Sequence, residues 1–252
     1  MSTHRAAFLA RVPDDPGHVD LRGVLHSGRC SLFGDPEGGF VVRSWDFPYA
    51  VAHGAPAPEV VRRAVEGDGG QGTPWAERGG EDGWHLLAGD ESRAAVAAAV
   101  PAWPRREVVL HRWEDGATRA ATPGGCDLRL APEGWREAGL HVGHLPPAMR
   151  QEMEVDWVAQ RPLAAALVDG RMVSFCYAAV ETETQWDVSV DTLLAYRRRG
   201  LAGACFLTLA RYQARRGKRP VWGAFEDNAS SLGLAARLGF VAAARLVSHR
   251  RP

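Results

Sequence analysis

Residues 188–210, VSVDTLLAYRRRGLAGACFLTLA, constrain this chain more than any other stretch. An alternating run rich in β-branched residues passes through three arginines to Gly200. From there apolar residues recur at helical spacing, with Leu201, Phe206, Leu209 and Tyr212 on one face. The first-turn amides of such a helix have no partner within it, and the helix dipole places partial positive charge beside them. Glycine at the turn lets a ligand approach the backbone closely, and arginines add charge-assisted hydrogen bonds. The passage is therefore a candidate pyrophosphate cradle. A solvated basic loop ahead of an ordinary core helix would use the same residues. From residue 191 onwards the chain has 12 basic and 3 acidic side chains, although the net charge of all 252 residues is zero. One basic end on a neutral protein points to a local anion site and not to a nucleic-acid footprint.

The surrounding pattern is that of an α/β protein in two parts. Residues 1–113 read as a smaller α/β domain of unknown role. It holds a hairpin at 28–33 and 39–45, a helix at 58–66, a loop at 67–83, a strand at 85–88, a helix at 91–100 and a strand at 107–113. Residues 114–125, EDGATRAATPGG, are polar and turn-rich and read as a linker. Residues 126–252 are more regular: a strand at 127–130, a helix at 146–157, and strands at 163–168 and 172–180 around an Asp169-Gly170 turn. Strand 186–193, helix 200–217, strand 220–225, helix 228–238 and strand 240–247 follow. No convincing sequence repeat joins the halves, though a degenerate copy of one in the other is open.

Arg197-Arg198-Arg199-Gly200-Leu201-Ala202, between a strand and a helix, resembles the Arg/Gln-x-x-Gly-x-Gly/Ala signature of the GNAT superfamily of acetyl-CoA-dependent N-acetyltransferases. Asn228 to Ser231, then a helix ending Leu238-Gly239-Phe240, resembles that family's second signature, and Asn228 is the only asparagine in the chain. The resemblance covers residues from about 126 to 252. It implies a mixed sheet with flanking helices, in which two strands splay apart around the pantetheine arm of acetyl-CoA, the co-substrate. It also implies that Val190 and Thr192 offer backbone groups to the thioester and pantetheine. Arg197, Arg198, Arg199, Gly200, Leu201 and Ala202 would hold the pyrophosphate, and Asn228 and Ser231 the pantetheine or the thiol side; the same pair also reads as a helix N-cap, with Ser231 at the third helical position. The implied activity is acetyl transfer to an amine, small-molecule or peptide, by direct attack within a ternary complex. A non-catalytic acyl-CoA-binding module, or a transferase with another acyl donor, stays open.

Two departures stand out. The tyrosine that many family members place on the last helix is Ala235 here, and no strand-like segment follows 240–247. The closing strand must then be absent or come from the N-terminal part. An attacking amine must lose a proton, so a base is expected, and the nearby acids are Glu183, Glu181 and Asp187. Glu183 leads this reading; the strand position where several relatives carry a glutamate is Trp186. Each acid could equally be a solvated strand end.

Other chemistries have little support. Four cysteines without ligand spacing read as reduced thiols in a cytoplasmic protein, and no metal is expected. His141 and His144 lack further ligands, and no Gly-x-Ser-x-Gly elbow is present. No run approaches a membrane span or a signal peptide, so neither membrane nor nucleic acid is expected as a partner.

Overall fold

The computed structural model describes residues 3–66, 83–114 and 123–252. The N-terminal part holds helices α1 (Thr3–Leu9), α2 (Val19–Ser27), α3 (Pro58–Glu66) and α4 (Arg93–Ala99). Its strands are β1 (Cys30–Asp35), β2 (Gly39–Ser44), β3 (Tyr49–His53), β4 (His85–Ala88) and β5 (Arg105–Trp113). The C-terminal part adds β6 (Asp127–Ala131), α5 (Pro147–Met153), α6 (Asp156–Ala159), β7 (Leu163–Val168), β8 (Arg171–Glu181) and β9 (Gln185–Thr192). It continues with α7 (Leu201–Arg215), β10 (Arg219–Phe225), α8 (Ala229–Arg237) and β11 (Phe240–Arg250). No helix among these residues is long and apolar enough to cross a membrane.

All the strands join one mixed sheet in the order β1-β2-β3-β4-β11-β5-β10-β9-β8-β7-β6. Within it one topological unit occurs twice. In each, three antiparallel strands lead through a helix to a strand parallel to the third, then through a second helix to a last strand. The last strands are exchanged: β5 lies between β10 and β11, and β11 lies between β4 and β5. The closing strand missing after β11 is thus residues 105–113 of the N-terminal part. Each part depends on the other for a complete sheet, although no sequence repeat announces the duplication. Residues 115–122 of the expected linker and 67–82 of the expected loop lie outside the described residues.

Apolar alternation decides which helix covers which face. Val41, Ala50, Ala52, Leu86 and Ala88 pack with Val61, Val65 and Val96 of α3 and α4. On the same side Ala164, Val173, Trp186, Val188 and Trp222 pack with Cys205, Phe206 and Leu209 of α7 and Ala235 of α8. The opposite side, with Val42, Val51, Leu110, Phe175, Tyr177 and Val221, is covered by α1, α2, α5 and α6. Burying a side chain such as Phe206 contributes about 1.5–3 kcal/mol. The 146–157 helix is found as α5 and α6, with a break at Glu154-Val155. The Asp169-Gly170 turn has φ of 51° and 75°, the left-handed pair that a two-residue hairpin favours. α1, α2 and β3 are elements the sequence reading does not anticipate.

Candidate active site

The two parallel strands at the centre of the C-terminal unit pair only over Arg219↔Gln185, Pro220↔Trp186 and Val221↔Asp187. Beyond that point β9 and β10 part, each keeping its outer neighbour, β8 and β5. Backbone groups alternate along a strand, and two contacts fix the phase on β9. The Leu193 amide donates to the Val173 carbonyl of β8, while the Arg219 amide takes the Thr184 carbonyl on the other edge. Val190 and Thr192 therefore turn their N–H and C=O groups into the fork, beyond the last paired position Val221↔Asp187; Arg197 Nε donates to the Thr192 carbonyl there, at 3.1 Å. Unpaired backbone polar groups along a central sheet edge call for a ligand or water.

The fork leads to the arginine loop. Gly200, with φ of 80°, is the residue before α7, and Arg198 also adopts a positive φ of 61°. Arg197, Arg198, Arg199 and Gly200 are all exposed. Leu194, on the same loop, is 79% exposed, the one large apolar side chain so exposed among the described residues. Arg199 donates to the Ala195 carbonyl at 3.1 Å and lies over the Tyr196 ring. The first-turn amides from Leu201 onwards have no helical partner. Loop and fork together make a continuous polar path from exposed cations to the middle of the sheet.

On the face away from α7, acids gather beside the fork. Asp187, Ser189 and Asp191 alternate on this side of β9. Burial pushes the Asp187 carboxyl well above the usual range and the charge of Asp20 on α2 adds to this, opposed by the backbone amides of Val188 and Gly223. Asp20 is also raised by burial, against the hydroxyl of Tyr49 at 3.4 Å. The two carboxyls disfavour joint ionisation. Glu152 of α5 is raised to about 7 by burial, opposed by hydrogen bonds from Tyr177 and Ser189, with Asp191 adding to the rise. Asp191 is raised to about 6 by burial, with Arg197 opposing. All four acids are enclosed by protein yet keep some solvent access, which is how groups lining a cleft behave. Gly223 is exposed in the middle of a central strand, a mark of close ligand approach. Opposite Asp187 the β8 register slips between Ala178 and Glu181, a bulge of the kind found beside active sites.

Of the three acids expected from sequence, the structure brings only Asp187 to the fork. Glu181 receives Gln213, Arg216 and Lys218 at 2.8, 3.0 and 2.8 Å. Burial acts to raise it, but those bonds prevail and hold it at about 2. Glu183 is clamped by Arg22 of α2 through two hydrogen bonds of 2.8 and 2.9 Å, which outweigh burial and lower its pKa. It stands seven residues before Val190, about 20 Å along an extended strand. An ion-paired carboxylate at the far end of β9 is a poor base, which weighs against Glu183 as the leading choice. Asn228 caps α8, its side chain accepting from the Ser231 amide at 3.1 Å and from Ser230 Oγ at 2.9 Å. Ser231 Oγ accepts from Trp222 Nε1 at 2.9 Å, tying α8 to β10. Ala235 is fully buried. Glu152, Tyr177 and Asp20 carry no local motif that marks them in the sequence, whereas the lone glycine in strand 220–225 is a readable signal for Gly223.

Residues 164–246 match the family model of GNAT acetyltransferases. No curated protein sequence gives a significant match. A GCN5-related N-acetyltransferase-like protein from Streptococcus suis superposes with a TM-score of 0.68 at 17% identity, covering 98% of both chains. A putative GNAT-family acetyltransferase from Novosphingobium aromaticivorans gives 0.58 at 18% identity, over 94% of this chain and 97% of that one. A tandem GNAT protein from the clavulanic acid biosynthesis pathway gives 0.55 at 16% identity, over 98% and 95%. At these identities the likeness is one of fold, and it extends over both units.

Proposed function

The C-terminal unit belongs to the GNAT superfamily of acetyltransferases, and from that premise we propose that the protein moves an acetyl group from acetyl-CoA to a cationic amine within a ternary complex. The observation that supports this most is the fork, whose free backbone edge runs from Asp187 to the arginine loop. In this reading Arg197 to Ala202 hold the pyrophosphate, and Thr192 and Val190 meet the pantetheine and thioester. The Val190 amide donates to the thioester oxygen, where negative charge grows during attack. Asn228 and Ser231 contribute by holding α8 at the wall of the fork.

The acceptor enters from the acidic face. Asp191 and the Asp187–Asp20 pair, which disfavours more than one charge, attract a positively charged amine, and Glu152, poised at about 7, takes the proton before attack. The nitrogen then bonds to the acetyl carbon and the thiolate leaves. With Ala235 buried where relatives have tyrosine, that thiolate takes its proton from water. The buried alanine is also the observation favouring a second reading, a module that binds acyl-CoA without turnover.

Calorimetry with acetyl-CoA and a thiol-release assay over a panel of mono- and diamines test both readings. Saturable binding, lost in Gly200→Asp, together with amine-dependent thiol release supports the transferase. Binding without release under any amine leaves the binding module, and no binding in the folded wild type overturns both.

A further inference from the structure

We propose that His18, His53 and Glu91 form a site for one divalent transition-metal ion, zinc fitting best, at the carboxyl end of the N-terminal unit's parallel strand pair. His18 ends the 3-10 turn Pro16–His18, His53 ends β3, and Glu91 lies just before α4. One ligand atom from each lies within 4.8 Å of the others. Ligands on a single zinc stand about 3.3 Å apart at bond lengths near 2.0–2.2 Å. Glu91 is on the surface, with its side chain 51% exposed, so the carboxylate can turn about its Gly54 contact to close the difference.

The hydrogen bonding of His53 points to a cation. Its Nε2 faces the Arg11 carbonyl oxygen at 3.2 Å, and its Nδ1 faces Glu91 Oε1 at 2.7 Å. A neutral imidazole has one N–H, so acceptors at both nitrogens leave one lone pair facing another. A metal on Nδ1 removes that conflict, with the proton on Nε2 donating to Arg11. This is the outer-partner arrangement that orients metal-bound histidines. His18 has the same design: Nδ1 lies 2.8 Å from Asp15 Oδ1, leaving Nε2 for a metal. The two rings stand 5.5 Å apart at 78°. Glu91 Oε1 also accepts the Gly54 amide at 2.9 Å, which anchors the carboxylate beside His53.

The location agrees. Strands β3 and β4 stay paired to Ala52↔Ala88, with no fork, and residues 54–58 contain two prolines and no arginine. Among the described residues this unit therefore lacks the cofactor path of its counterpart, and the same strand end carries imidazoles. Two imidazoles and a carboxylate with room for water form a zinc donor set. The site stands independently of acetyl transfer.

The test uses the full chain stripped with EDTA and titrated with zinc chloride by calorimetry, and with cobalt(II) by visible absorption. One equivalent should bind with a Kd of about 10 μM or tighter and raise the melting temperature. The cobalt spectrum should show nitrogen and oxygen ligation without a thiolate band. His53→Asn and Glu91→Gln should each weaken binding at least about tenfold; the second removes a surface carboxylate, so folding is retained. No saturable binding by about 1 mM zinc, binding unchanged in both variants, or a thiolate band would each overturn the site. So would a His53 ring found protonated and metal-free in the presence of zinc.

Discussion

Asp187 and Gly223 meet at the vertex where β9 and β10 separate, the Gly223 amide turned towards the Asp187 carboxyl. A Cβ built on Gly223 would lie 3.9 Å from Asp187 Oδ1 and 3.2 Å from the Leu110 side chain. The 3.2 Å approach is tighter than an ordinary contact, so even one added carbon requires the buried Leu110 side chain to give by a few tenths of an ångström. Gly223→Ala should cost some stability through the Leu110 contact and lower kcat/KM for the amine by about tenfold or more through misplacement. Wild-type kinetics in that variant would separate Gly223 from the acceptor path.

Glu152 links chemistry to stability. Its folded pKa of about 7 lies above the unfolded 4.5, so the folded state binds the extra proton. Its stabilising share is full below 4.5 and is lost as pH rises through 7, up to about 3 kcal/mol. Glu152→Gln should therefore unfold at a higher temperature than wild type at pH 8. It should also slow turnover on the order of 10²–10⁴-fold and lose the acidic limb of the pH–rate profile. Paired melting curves and rate profiles between pH 5 and 9 (about the range a base near 7 needs) decide it.

Glu181 behaves in the opposite sense. Arg216, Lys218 and Gln213 hold it at about 2 against an ordinary 4.5, so its contribution is present above 4.5 and disappears as pH falls towards 2. That share is on the order of 3 kcal/mol. Glu181→Gln should lower stability at neutral pH and flatten the acid limb of the denaturation curve, with acetyl-CoA affinity unchanged. Urea titrations at several acidic pH values measure this directly.

Gly23 sets the seat of α2. A Cβ there would lie 2.8 Å from Val180 Cβ, at the β8 bulge, and Val180 belongs to a strand that cannot swing aside. Gly23→Ala should destabilise by about 1–3 kcal/mol despite alanine's better helix propensity. Asp20 lies one turn away on the same helix, so the displacement should also weaken amine binding. A variant as stable as wild type would show that α2 docks loosely.

Asn228→Ala removes the cap of α8 and should cost about 0.5–2 kcal/mol. Acetyl-CoA affinity, measured by calorimetry on the same variant, shows whether the asparagine also touches the cofactor. A fall beyond what unfolding explains would indicate contact.

Local chemistry made one half of this protein legible. Gly200 after three arginines, the Asp169-Gly170 turn and the Asn228 cap act within a few residues, so their consequences follow from order along the chain. The alternation of Asp187, Ser189 and Asp191 against Trp186, Val188 and Val190 likewise fixes two faces of β9 before any partner is known. The proposed base was not legible, because Glu181 and Glu183 differ from Glu152 only in their neighbours. Arg22, Arg216 and Lys218 reach the first two from other elements, while α5 brings Glu152 to Ser189 on β9. The exchange of β5 and β11 was equally hidden, since strand pairing satisfies backbone groups that are the same in every residue. Sequence could state that a closing strand was missing; only the tertiary structure, by placing residues 105–113 between β10 and β11, decided which one fills the gap.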